Sequence, residues 1–566
     1  MNHKSRPTFI AWRFYLLLFV ILLAVAGLIW RVFDLAVLDQ HFLQREGDER
    51  VLRLEKTPAF RGIIVDRNGS PLAISTRVFS IWVNPQEFSP SQKEARALAK
   101  LLGIKSSKIF SLTTRNKKSK REFVYLKRGQ APVIAAKTEA LYLKGLYTRE
   151  EYRRYYPEGE VVAHVVGFTN VDDKGQEGLE LAYNDWLAGE PGKKWVIKDR
   201  LGRIISDVSK VQDQRPGHDL VLSIDRRVQY LAYRELIKGV SESQAVSGSA
   251  VVLDAKTGEI LAMVNAPSYN PNQRPVKMSN KLRNRAVTDT FEPASTVKPF
   301  GVSMALASKK VSPSTMIDTS PGWMRIGKNI VRDHVSKDWL SVSDIIKKSS
   351  NVGVAKIMLD QSPNAFWSVM NKAGFGQMTE VNFPGEQSGS LVHHNPWGQF
   401  VYVTMTFGYG LSVNTLQLAR AYLIFANAGK SLPVSLLRID QPPAGKQVLD
   451  PAAVKQMTAM MEEVVRKGGT APMVNVPGYR IAAKTGTAKI AGPGGYLKHR
   501  YNSSFVGIAP ISNPRLVIAV IINDPQGKQY YGGFVSGPVF SRIMEGALRI
   551  LDVSPDALEE DVSSRG

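Results

Sequence analysis

Hydrophobic positions along the chain fall into three regimes. From Phe14 to Trp30 the run FYLLLFVILLAVAGLIW is apolar throughout and carries no charge. On a helix rising 1.5 Å per residue, Trp12 and Trp30 stand about 27 Å apart, close to the hydrocarbon thickness of a bilayer. Tryptophans at both edges match an interfacial belt. The pattern predicts one transmembrane helix over residues 14–33.

The second regime, residues 34–216, mixes short helical and strand-like stretches with frequent charges and glycines. Residues 34–60 read as helical and then strand-like. Asp66-Arg67-Asn68-Gly69 between apolar stretches predicts a hairpin. Residues 211–236 read as a polar linker, a strand and an amphipathic helix, which places the main boundary near residue 217.

The third regime runs from 217 to about 552. Here β-rich stretches such as SAVVLD (249–254), EILAMVNA (259–266), SSFVGIAPI (503–511) and LVIAVIIND (516–524) alternate with helical ones. Ala255-Lys256-Thr257-Gly258 joins the first two as a hairpin turn, with Gly258 supplying a positive φ. The last residues, 553–566, read as a flexible tail.

At 566 residues the chain exceeds one ordinary core, so several domains are expected. Lys4, Arg6 and Arg13 precede the apolar run, which predicts a cytoplasmic stub (1–13) and an external bulk. A signal-peptidase site at Ala24-Val25-Ala26 is the competing reading. The apolar run continues through Leu28, Ile29 and Trp30, which favours an uncleaved anchor.

Cysteine is absent, which excludes disulfides, thiolate metal sites and a cysteine nucleophile. The net charge of +24 raises a nucleic-acid reading. The basic residues are spread out, however, and the densest cluster is Lys117, Lys118, Lys120 and Arg121. A solvated basic face is expected, with no nucleic acid; phospholipid or cell-wall polymer would suit the same charge.

Candidate chemistry centres on three short words. Ser295 and Lys298 in FEPASTVKPF form the chain's one S-x-x-K, a spacing that puts both side chains on one helical face. Pro293 suits a helix start, and Pro299 is tolerable only near it. Ser295 would then sit beside the positive end of a helix dipole, and a desolvated Lys298 could serve as general base. S-x-N occurs four times. Ser349-Ser350-Asn351 lies between helical patterns, where a short loop could present both side chains; Ser412 reads as part of a helix N-cap region, and Ser268 and Ser362 as loop positions.

K-T-G occurs twice. The copy at Lys256 is explained by its turn. The copy at Lys484-Thr485-Gly486 sits among small residues on a predicted strand, where glycine permits close approach of another backbone. Rival machinery is missing: there is no G-x-S-x-G elbow and no H-E-x-x-H, and Ile424 stands where a phosphate loop ending in Gly429-Lys430-Ser431 needs glycine. His393 and His394 read as loop residues.

In order, S-x-x-K, S-x-N and K-T-G are the motif set shared by penicillin-binding proteins and class A β-lactamases; nearly 200 residues between anchor and catalytic domain weigh against a β-lactamase. Together with RGIIVDRNG, RRYYPEGEVVAHVVGFTNVD, YNPN, KSSNVG, FGYGL, KTGTAK and YYGGFVSGPVF, the chain resembles class B penicillin-binding proteins from the anchor to about residue 552. Within them it is similar to the septal, FtsI-type peptidoglycan D,D-transpeptidases of cell division.

The resemblance implies an α+β protein: a transmembrane helix, an elongated pedestal over 34–216, and a transpeptidase domain over 217–552 whose mainly antiparallel sheet is flanked by helices. It implies Ser295 as acylated nucleophile, Lys298 as base, Ser349 as proton relay, Asn351 and Lys484 completing the polar network, and Thr485, Gly486 and Thr487 as the substrate-binding edge. It implies acyl transfer between peptidoglycan stem peptides, acylation by β-lactams, and neither metal nor cofactor. Implied partners are an FtsW-type glycosyltransferase and small bitopic division proteins; the implied location is the inner membrane with the bulk periplasmic. An elongation-type relative and a non-catalytic wall-binding scaffold are the alternatives. KSSNVG with Asn351 and the complete motif set weigh against them.

Overall fold

In a computed structural model the described residues are 11–43, 46, 52–111, 121–198, 204–273, 280–335 and 337–557. Lys4, Arg6, the cluster Lys117, Lys118 and Lys120, and the tail beyond 557 lie outside them. The chain divides into two compact units, one comprising residues 1–59 and 189–216, the other 60–188 and 217–566.

In the first unit, α1 (Ala11–Phe33) runs into a π-helical turn, Asp34–Leu38. Its apolar window has a mean hydropathy of 2.7 and none of it is buried, and among the described residues it is the one helix long and apolar enough to cross a membrane. The unit also holds a three-stranded antiparallel sheet in which Gly192–Lys198 pairs with Leu52–Thr57 on one side and Ile204–Gln212 on the other.

In the second unit, residues 60–188 build a sheet around the long strand Pro71–Val83, which pairs with Val124–Gln130 and Leu146–Tyr155. The predicted hairpin at 66–69 is present: Val65 pairs with Pro71, and Asp66 Oδ1 accepts the N–H groups of Asn68 and Ser70. Buried Glu180 accepts Arg61 Nε at 2.7 Å and Arg154 Nε at 2.6 Å, so two guanidinium groups share one buried carboxylate.

The rest of the second unit is organised by a five-stranded antiparallel sheet: β1 (Ser247–Asp254), β2 (Ile260–Ala266), β3 (Ala482–Gly492), β4 (Gly495–Ala509) and β5 (Leu516–Asn523) in the order β2-β1-β5-β4-β3. Around it lie α2 (Arg226–Glu242), α3 (Lys298–Ala307), α4 (Val342–Lys348), α5 (Asn351–Leu359), α6 (Thr415–Ala426) and α7 (Gly532–Ile550).

Successive strand residues point to opposite faces. Val252 and Val520 therefore join the core under α2 and α7, with Leu236, Phe540 and Met544, while Val251 and Ile521 join the core containing Leu423 and Phe300. With both faces covered, these strands read as continuous apolar runs. This is the α+β arrangement the sequence implied.

The turn at 255–258 also matches expectation. Gly258 has φ +75°, and a Cβ there would meet Pro433 O at 2.1 Å. The helix ends fit their caps as well: Asn414 and Gln417 form a reciprocal capping box at the start of α6, downstream of Ser412.

Candidate active site

β3 is an edge of the sheet, so one side of its backbone is open to other elements. Ser295 lies in a 3₁₀ turn, Ala294–Val297, that leads directly into α3. Pro299 occupies the first turn of α3, where its missing N–H costs nothing. The turn is held from several directions. Phe291 and Val413 exchange backbone hydrogen bonds, Ala294 N donates to Gly408 O at 3.1 Å, and Tyr422 OH donates to Thr296 O at 2.7 Å.

Gly486 lets this turn lie against β3. A Cβ on it would sit 2.2 Å from Ser504 Oγ and 2.8 Å from Pro293 O. Ser295 is thus placed at the junction of sheet and helices, half-buried.

Ser349 ends α4 in the left-handed region, at φ +60° and ψ +41°. Such a conformation costs a residue with a Cβ about 1 kcal/mol, and it turns the chain sharply before Ser350 caps α5. The S-x-N word therefore occupies a two-residue break between helices, as its pattern predicted.

Lys298 and Lys484 are both wholly buried. Lys298 Nζ lies 2.6 Å from Ser349 O, 3.2 Å from Ser349 Oγ and 2.7 Å from Asn351 Oδ1. Lys484 Nζ donates to the same Ser349 Oγ at 3.0 Å. None of the three Lys298 bonds runs to Ser295 Oγ; the lysine is oriented by the S-x-N loop.

Desolvation holds the Lys298 pKa well below the usual lysine range, the Lys484 charge lowers it further, and Asp333 opposes both. Desolvation alone brings Lys484 down to about 7. Two ammonium groups sharing one hydroxyl repel each other, which favours a neutral amine at one of them. A neutral Lys298 could accept the Ser349 hydroxyl proton while Lys484 donates to that oxygen, an arrangement able to move a proton.

Strand alternation puts Lys484 and Gly486 on one face of β3 and Thr485 and Thr487 on the other. Thr485 Oγ1 shares a hydrogen bond with Thr470 Oγ1 at 2.9 Å, and Thr487 Oγ1 accepts Gly532 N at 3.0 Å. All eight residues singled out from the sequence thus belong to one locality around β3, the 3₁₀ turn and the S-x-N loop. Ser268 and Ser362 stand elsewhere, and His393 packs against Trp367 and Trp397.

Sequence reading missed several members of this neighbourhood. Glu292 accepts Gly410 N at 2.8 Å and Tyr496 OH at 2.9 Å, which ties the β3–β4 hairpin to the segment before Ser295. The Tyr496 ring also meets Tyr409 edge-on at 5.8 Å. Tyr530 stacks between Tyr501 and Tyr531, and His334 meets Tyr531 at 5.9 Å. Although exposed, His334 has a lowered pKa, through desolvation first and the Lys298 charge second. Asp333 caps α5. Of these, Glu292 in FEPASTVKPF, Tyr409 in FGYGL and the tyrosine pair in YYGGFVSGPVF lie inside stretches the sequence marks, with no role attached to them; Asp333, His334, Tyr496 and Tyr501 lie outside every such stretch.

Comparison with known proteins gives the family of the chain. The family model described as penicillin binding protein transpeptidase domain matches residues 248–545, and the penicillin-binding protein dimerisation domain matches 56–222. The peptidoglycan D,D-transpeptidase FtsI of Escherichia coli K12 is 43% identical over 98% of this chain and 95% of its own length. The probable peptidoglycan D,D-transpeptidase PbpC of Pseudomonas aeruginosa is 41% identical, covering 97% of each chain.

Among solved structures, a peptidoglycan synthetase from Bifidobacterium adolescentis superposes with a TM-score of 0.71 at 27% identity, over 90% of this chain and 98% of that one. The apo transpeptidase domain of penicillin-binding protein 3 from Burkholderia pseudomallei gives 0.55 at 40% identity, over 60% of this chain and 98% of that one. With both domains matched and relatives aligned along nearly the whole chain, this protein belongs to the class B penicillin-binding proteins, in their FtsI-type D,D-transpeptidase branch.

Proposed function

We propose that the chain crosslinks peptidoglycan through a Ser295 acyl-enzyme. Lys298 takes the Ser295 Oγ proton as the oxygen attacks the carbonyl carbon of the penultimate D-Ala of a pentapeptide stem. The peptide C–N bond breaks, and the terminal D-Ala leaves with a proton delivered through Ser349. An amine of a neighbouring stem then attacks the ester, loses its proton to the same relay, and returns the hydroxyl to Ser295.

Asn351 holds Lys298, and Lys484 sustains the network at Ser349. Thr485, Gly486 and Thr487 line the edge where the stem's carboxylate docks. Backbone N–H groups of Ser295 and Thr487 serve as oxyanion donors, a role worth about 3 kcal/mol per donor in comparable sites. A β-lactam follows the first half of this path and remains as a slow ester. The observation that carries the reading is the convergence of two wholly buried lysines on one serine hydroxyl beside the 3₁₀ turn of Ser295.

The same reading places the first 13 residues in the cytoplasm, the helix at 14–33 in the inner membrane, and a pedestal (34–216) and transpeptidase domain (217–552) in the periplasm. An FtsW-type glycosyltransferase and bitopic division proteins are its partners there. Intact-mass analysis of the full-length protein in detergent, after incubation with a penicillin, tests the chemistry. A one-to-one adduct that disappears in Ser295→Ala is expected. Absence of the adduct on folded wild-type protein would sink the proposal.

A further inference from the structure

One small subdomain is far more basic than acidic. Residues 84–111 and 121–145 carry ten lysines and arginines against four glutamates and no aspartate. The subdomain has its own apolar core, in which Leu98, Ala99 and Leu102 of the helix Gln92–Leu102 pack with Ile81, Val83 and Leu126 of the sheet.

The other side of that helix is a cationic stripe. At about 3.6 residues per turn, Lys93, Arg96 and Lys100 fall within about 60° of arc, directly across the helix from its buried residues. All three are exposed, as are Lys105 and Lys108 beyond the helix end, and among the described residues none of the five has an ion-pair partner.

The acids of the subdomain are engaged elsewhere. Glu94 closes the capping box of the helix with Ser91. Glu87 accepts Asn84 Nδ2 at 2.8 Å and Tyr147 OH at 3.1 Å, and Glu139 accepts the Thr148 hydroxyl. Three of the four carboxylates thus serve local hydrogen bonds, and the stripe keeps an unneutralised positive field.

That field fits an anionic polymer better than a lipid surface. A helix that binds at a membrane interface puts its apolar face into the lipid, and here that face is buried in the subdomain's core. A polymer bearing a carboxylate on every stem engages several fixed cations together, each contact raising the effective concentration of the next.

We propose that this subdomain is a binding site for peptidoglycan strands, with Lys93, Arg96 and Lys100 receiving the stem carboxylates. The inference rests on the reading that peptidoglycan is the substrate, and it adds a contact made by none of the residues around Ser295.

The test uses full-length protein in phosphatidylcholine nanodiscs, incubated with a penicillin to block the cleft and then co-sedimented with purified sacculi. Sacculi whose stem carboxylates have been amidated, and vesicles of phosphatidylglycerol, are run beside them. The variant Lys93→Gln/Arg96→Gln/Lys100→Gln is compared with Lys430→Gln/Lys446→Gln/Lys455→Gln, which removes the same charge from other exposed positions. Melting temperatures are recorded for both.

The stripe variant is expected to lose about tenfold in affinity for intact sacculi. The control variant should stay within about twofold of wild type. Wild-type binding should weaken from about 0.05 to 0.5 M salt and be lost on amidated sacculi. Should the stripe variant fail to fold, the wild-type response to salt and amidation decides.

Equal loss in both variants, or wild-type binding indifferent to amidation, would overturn the site. So would binding to phosphatidylglycerol vesicles with none to sacculi, which would assign the stripe to a membrane surface. A wild type that takes no penicillin yet binds intact sacculi through the stripe would overturn the serine reading alone. One that takes penicillin and binds sacculi equally well without the stripe would overturn this inference alone.

Discussion

Lys256-Thr257-Gly258 and Lys484-Thr485-Gly486 are the same three letters in two settings. At 256 the lysine is exposed, the threonine hydroxyl donates to Glu259 at 3.1 Å, and the glycine turns the chain at φ +75°. At 484 the lysine is wholly buried against Ser349 and the threonine bonds Thr470. The glycine there is part of an extended strand, needed because Pro293 and Ser504 crowd it. One glycine serves its own backbone conformation; the other serves a neighbour's approach. A short motif acquires chemistry from what packs on it, and β3 is the sheet edge on which the Ser295 turn is laid.

Lys484→Ala should lower the penicillin acylation rate by about 10³-fold, the upper range for loss of a proton-handling group. A wild-type rate would make the two words equivalent.

The glycines come next. Gly486→Ala should lift the Ser295 turn from β3 and lower acylation by about 10²-fold. Gly258→Ala should lower thermal stability by about 1–3 kcal/mol while folded protein acylates normally. Melting curves and acylation rates on both variants separate the two roles, and equal loss of acylation in both would refute the distinction.

A third difference is read through pH. Lys484 has a pKa of about 7 against an ordinary value near 10.5, because burial disfavours its charge. Between those values the unfolded chain binds more protons than the folded one, so this group's contribution to stability rises with pH. Lys484→Met should flatten the rise in melting temperature above pH 7, with Lys256→Met as the exposed control. An unchanged slope would mean that Lys484 is not desolvated. The smallest effect belongs to Lys256→Ala, for which a change within about 0.5 kcal/mol and an unaltered acylation rate are expected from denaturation and kinetic assays.

What could be read from sequence was what is local. S-x-x-K, the S-x-N break and the K-T-G strand each depend on helix spacing, capping or alternation within a few residues. The hairpin turn at 255–258 and the apolar strands were legible for the same reason. Long-range placement was not. Asp333 meets Ser350 across 17 positions and Glu292 meets Tyr496 across 204, and neither acid sits in a spacing that physical chemistry makes distinctive. Nor does periodicity reveal that β5 inserts between β1 and β4, because a run covered on both faces carries no mark of its neighbours. The expected reach of Lys298 to Ser295 likewise became a bond network with the S-x-N loop, since three acceptors there outbid one hydroxyl.

The left-handed backbone of Ser349 has a further consequence. Helix ends of this shape are the usual place for glycine, and Ser349→Gly would relax the chain while removing the oxygen that both lysine nitrogens approach. Position 349 is therefore pulled two ways by two kinds of selection. A library sorted for heat resistance should enrich glycine there, one sorted for growth that depends on this protein should keep serine, and the codon recovered would report which pressure the library had felt.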